Sequence, residues 1–74
     1  MARLPSSRRV VNTLLKFGFE KISQKGSHGK YKLFEDNTVR TVIVPMSKTE
    51  IPMGTFHSII RQSGLEKSDF NNNK

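Results

Sequence analysis

The sequence predicts an α+β domain in two layers, its elements in the order α-β-β-β-α, with an antiparallel three-stranded sheet covered by helices on one face. Three observations carry this. Apolar residues recur at helical spacing near both ends of the chain, three short extended segments lie between them, and a glycine followed by an apolar residue (Gly18-Phe19, Gly64-Leu65) closes each helical stretch. At 74 residues the chain is a single domain spanning 1–74, with a core expected over about 6–70 and a frayed tail at 71–74. Twenty residues are Leu, Ile, Val or Phe, enough for a folded chain. A domain this small buries only about 60% of its unfolded surface, which argues for a thin core and against a deep cofactor cavity.

The first helix is expected from Ser6 or Ser7, either of which can cap it after Pro5, to Lys16. Val10, Val11, Leu14 and Leu15 form its apolar face. Gly18 takes the left-handed position past its end, and Phe19 folds back toward Leu14. Arg8 and Arg9 in the first turn oppose the helix dipole, a conflict that a nearby anion would relieve. Extended segments follow at 20–25, 30–35 and 39–44, with Glu35-Asp36-Asn37 as a turn and Ile22, Tyr31, Leu33, Val42 and Val44 as the inner face. The second helix is expected over 54–63 with Phe56, Ile59 and Ile60 at core spacing, and a last turn around 66–70 brings Phe70 in as a plug.

The chain carries a formal charge of +7, and the excess is localised. Residues 1–32 hold eight of the thirteen basic residues and a single acid, Glu20, whereas the five bases and five acids of 33–74 cancel. A domain so divided presents a basic side, for which a polyanion is the natural partner. The absence of cysteine excludes disulfides, zinc ribbons and thiol nucleophiles. With two histidines and scattered acids, no metal-ligand spacing is present, and no cofactor is expected. No apolar run approaches a membrane span, so the protein reads as soluble and cytoplasmic.

The segment Lys25-Gly26-Ser27-His28-Gly29-Lys30 gathers two glycines, a hydroxyl, an imidazole and two ammonium groups between the first two extended segments. Glycine on either side of Ser27-His28 lets a phosphate backbone approach, and Lys25 and Lys30 can neutralise it. The same residues also suit an ordinary hairpin connection with an exposed histidine. RNA cleavage without a metal needs a base for the 2′-OH, an acid for the leaving 5′-oxygen and cations for the phosphorane. Imidazole, titrating near pH 6.5 or so when unperturbed, serves in either proton-transfer role. The second proton-transfer group is open among Lys25, Ser27, Tyr31 and His57. His57 reads as a surface residue, being off the Phe56-Ile59-Ile60 stripe.

Gly18-Phe19, then Gln24-Lys25-Gly26-Ser27-His28, Val42-Ile43-Val44-Pro45, Gly54-Thr55 through Ile59-Ile60 and Gly64-Leu65 together resemble the HicA toxin family over nearly the whole chain. The resemblance implies a double-stranded-RNA-binding-domain-like fold used as an mRNA-cleaving endoribonuclease that arrests translation and growth, with His28 in the catalytic position. It also implies a HicB-type antitoxin that covers the site and through which alone DNA is bound, the pair forming a type II toxin-antitoxin system. RNA contacts are expected from Lys25, Gly26, Ser27, Lys30 and Lys32, with Arg8 and Arg9 behind them. Gly29 stands where many relatives have a polar side chain, and Pro52-Met53-Gly54 lacks the usual basic residue. The alternatives are a non-catalytic RNA-binding module and a protein-interaction domain presenting Phe34 and Ile43 among lysines.

Overall fold

The computed structural model describes residues 4–71. Its elements are α1 (Ser7–Lys16), β1 (Glu20–Lys25), β2 (His28–Glu35), β3 (Thr38–Pro45), α2 (Met53–Ser63) and α3 (Lys67–Asn71). The strands form one antiparallel sheet in the order β1-β2-β3. This is the predicted α+β architecture, with helices at both ends of the chain and the two main helices, α1 and α2, packed against β3. Asn71 closes α3, and the rest of the expected frayed tail lies outside the described residues.

Helix α1 begins where Ser6, in extended conformation, accepts a hydrogen bond from Arg9 N at 3.1 Å. It ends as Gly18 adopts φ +97° and Phe19 N donates to Leu14 O at 2.9 Å, which drives Phe19 into the core. The buried stripe is Ser7, Val10, Thr13 and Leu14. Leu15, expected on that face, is 49% exposed, because the sheet meets a narrower arc of the helix than its apolar residues span, and Thr13 takes the inward place by donating its hydroxyl to Arg9 O. Helix α2 ends at Gly64 with φ +73°. Phe70 reaches back from α3 to meet Phe56 edge-on at 5.5 Å between ring centres, plugging the core as predicted.

Alternation in β2 and β3 sends Gly29, Tyr31, Val42 and Val44 toward the helices and His28, Lys30 and Ile43 outward. Leu33 is partly buried and packs against the core from the same side. Ile22, expected on the inner face, is 46% exposed. The pairing shifts register between Lys21 and Ser23, so Ile22 is the extra residue of a bulge on a strand with no burial at all. Ile59 is fully buried while Ile60 only borders the core. Ile51, in the connection before α2, is fully buried and its amide donates to Pro5 O at 2.8 Å.

Candidate functional site: a pocket between the sheet and the second helix

The six-residue stretch around His28 is not a loop. Only Gly26 and Ser27 are outside the strands, and Lys25 pairs directly with His28 across a two-residue hairpin. Gly26 has φ +59° and Ser27 an ordinary negative φ, the pattern of a type II′ turn that matches the twist of the strands. Ser27 O accepts from Met46 N at 2.6 Å, which ties the turn to the chain leaving β3. Gly29 therefore does not open a phosphate approach, as the sequence suggested. It is buried in β2, where a Cβ would lie 3.1 Å from Met46 Sδ and 3.1 Å from Tyr31 Cε1.

Directly opposed residues share a face, so the outer surface of the sheet carries the rows Lys25–His28–Pro45, Ser23–Lys30–Ile43 and Glu20–Lys32–Thr41. Three of the expected phosphate-binding lysines thus lie on the same surface as His28. Two strand residues span roughly 7 Å, so Lys30 stands one phosphate spacing from the imidazole. Arg8 and Arg9 are exposed in the first turn of α1, on the other layer. The helix start is nonetheless held at the same end of the sheet: the buried Ser7 donates its hydroxyl to Pro45 O at 2.5 Å and accepts from Lys48 N at 2.9 Å. The turn, the start of α1 and the start of α2 are joined at that end, although neither arginine lines the pocket between the sheet and α2.

A pocket of about 310 Å³ opens between this outer face and α2, lined by His28, Ile43 and Pro45 from the sheet, Lys48 and Pro52 from the connection, and Thr55, Ser58 and Gln62 from α2. Gln62 Oε1 accepts from the edge amide of Ile43 at 3.2 Å, clipping the helix to β3 and forming one end of the cleft. Ser47 sits beside Lys48 with φ +65°, a left-handed conformation uncommon outside glycine that turns the connection around the pocket mouth. Sequence reasoning missed Lys48, Thr55, Ser58 and Gln62. The last three fall at i, i+3 and i+7, so the signal was a polar stripe on α2 that runs beside the apolar one.

Of the sequence candidates for a second proton-transfer group, Tyr31 is 2% exposed on the inner face, and burial raises its phenol above the ordinary value. His57 is exposed and does not line the pocket. Lys25 and Ser27 adjoin His28. Among the described residues no group of three or more His, Asp or Glu side chains is placed to hold a metal ion, and no helix is long and apolar enough to cross a membrane.

A search among curated proteins gives no match. The family model of the HicA toxin of bacterial toxin-antitoxin systems matches residues 7–65, from the buried serine that anchors α1 to the residue that follows the α2 stop, and so takes in the whole pocket. The chain belongs to the HicA toxin family.

Proposed function

We propose that this toxin is a metal-independent endoribonuclease that cleaves mRNA at the pocket mouth, with His28 as the general acid or base. The observation that carries this reading is the placement of an exposed imidazole in a row with Lys25, one strand step from Lys30, in the lining of the pocket between the sheet and α2. In the reaction a proton leaves the ribose 2′-OH as that oxygen attacks the adjacent phosphorus. The P–O5′ bond breaks and the departing oxygen takes up a proton, leaving a 2′,3′-cyclic phosphate and a 5′-hydroxyl. His28 moves one of these protons, and Lys25 is the side chain best placed to assist with the other. Lys30 and Lys32 hold neighbouring phosphates, the turn amides of Gly26 and Ser27 approach the backbone, and Arg8 and Arg9 meet the strand where it passes the end of the sheet.

A HicB-type antitoxin would neutralise the toxin by covering this face. Beyond the lysines the outer surface bears Phe34 and Val39, directly paired and 58% and 51% exposed, an apolar patch within a polar rim that suits a protein partner. DNA enters the system through that partner alone.

The test is incubation of purified wild-type and His28→Ala protein with a long mRNA in excess EDTA, followed by fragment analysis on a gel. Wild type is expected to cut and His28→Ala to lose at least about 100-fold in rate, the usual contribution of a positioned acid–base group. Because His28 is exposed, the variant is expected to melt at the wild-type temperature. Cleavage retained by the variant overturns the assignment. RNA binding without cleavage by either protein would favour a non-catalytic RNA-binding module.

A further inference from the structure

The pocket is more elaborate than the chemistry at a phosphate requires. Its apolar surface comes from Ile43, Pro45 and Pro52, and beside His28 and Lys48 its polar lining consists of the uncharged Thr55, Ser58 and Gln62. We propose that it receives one unstacked base of single-stranded RNA, from the nucleotide next to the scissile phosphate. This inference rests on the ribonuclease reading above and names its substrate class: single-stranded segments of RNA, not duplex.

Size argues first. Ligand pockets range from about 300 to 1,000 Å³, and at about 310 Å³ this one stands at the small end, room for a single ring system. A duplex keeps its bases stacked and paired, so it cannot insert one without breaking both interactions, whereas a loop or single strand offers its bases free.

The donors argue second. A backbone N–H can be met only by the oxygen of an amide, so the bond from Ile43 N fixes Gln62 with Oε1 on the strand and leaves Nε2 as a donor on the pocket wall. Among the described residues, neither Nε2 nor the Thr55 hydroxyl has a protein partner, and Ser58 Oγ accepts only a 3.5 Å contact from Arg61. Three uncharged donors of hydrogen bonds thus line a cleft whose other surface, His28 and Lys48 apart, comes from Ile43, Pro45 and Pro52, the combination that binds the carbonyl and ring-nitrogen acceptors of a base between apolar walls. Lys48 in the lining and Lys25 beside His28 flank the path of the backbone.

The experiment measures binding in the full chain carrying His28→Ala, which separates recognition from cleavage. The probes are a fluorescein-labelled ten-nucleotide RNA of mixed sequence, the same strand annealed to its complement, and an abasic RNA of equal length that keeps every phosphate. The single strand is expected to bind at least about tenfold more tightly than the abasic strand, in line with the worth of one held base, and more tightly than the duplex. Adding Ser58→Phe, which fills the pocket, is expected to reduce the single strand to the abasic level, with the melting temperature as the check on folding. Gln62→Ala, which removes only the amide, is expected to give part of the same loss. Equal affinity for the abasic strand or the duplex would overturn the proposal, as would indifference to both substitutions, and would point to a cleft that serves the backbone or a protein side chain. These outcomes do not depend on catalysis: if wild type fails to cut RNA the nuclease reading falls, while the base preference is still decided by the binding series.

Discussion

A methyl group at Gly29 would press against two neighbours of different compliance. Met46 Sδ, 3.1 Å away, ends a flexible side chain and can yield, but Tyr31 Cε1, also 3.1 Å away, belongs to a ring packed in the core. Gly29→Ala is therefore expected to cost about 1–2 kcal/mol as an overpacking substitution, read as a lowered melting temperature. An unchanged melt would mean that residue 29 does not face the core and that β2 starts later than His28. The sequence could not announce this role, since Lys25 to Lys30 is rich in residues that make flexible loops, and composition does not distinguish a six-residue loop from a two-residue turn. What decides between them is the left-handed Gly26 and the bond from Met46 to Ser27, a contact across nineteen positions of sequence. His28 was legible as the candidate imidazole and Lys25, Lys30 and Lys32 as basic residues near it, whereas Lys48, Thr55, Ser58 and Gln62 in the same pocket were not. Ile22 was misplaced for a related reason: a bulge shifts a side chain to the other face, and bulges leave no mark in a six-residue alternation.

The elements α1 and α2 were readable from local periodicity and their stop signals, because helix spacing and a left-handed glycine are properties of adjacent residues. The connection between β3 and α2 was not, since what orders it comes from α1. Ser7 is 3% exposed, and its hydroxyl donates to Pro45 O while accepting from Lys48 N; its own amide donates to Lys48 O at 2.9 Å. A serine that looked like one of two alternative helix caps is in fact the clamp between two elements, and Ser6 does the capping. Ser7→Ala removes both side-chain bonds and leaves a part-buried carbonyl and amide short of partners, at a cost of about 1–3 kcal/mol. For a domain of this size that is a fall in melting temperature on the order of 5–15 °C. Because Lys48 lines the pocket, RNA cleavage is also expected to weaken, measured well below the melt so that unfolding does not contribute. Ser6→Ala makes the contrast: it removes a solvent-exposed cap, costs about 1 kcal/mol, and leaves the pocket wall in place. Equal effects of the two substitutions on cleavage would overturn the separation of roles.

At the scale of the whole molecule the basic excess has a direction as well as a size. The sequence confines it to residues 1–32, and the fold turns part of that excess, Lys25, Lys30 and Lys32, onto the outer face of the sheet, adding Lys48 from the otherwise neutral second half. Arg40, by contrast, is engaged with Glu35 at 3.5 Å and lies over Gly64, where its guanidinium occupies the space a side chain would need. Single-stranded RNA sheds counterions with a slope of about −0.7 in log K against log salt for each phosphate neutralised. Four lysines meeting four phosphates predict a slope of about −3, and Lys30→Ala or Lys32→Ala should each flatten it by about 0.7. Lys67→Ala, on α3, should leave it unchanged, since that helix packs with α1 and takes no part in the outer face. A titration of labelled RNA binding at several salt concentrations, in the His28→Ala background, checks all three. If Lys67 mattered as much as Lys30, the attraction would be a diffuse consequence of net charge, and the strand would have no fixed path across the sheet. A slope carried by the outer-face lysines instead fixes that path, from the row of Lys32 past Lys30 to His28, and so fixes which end of the strand the pocket meets.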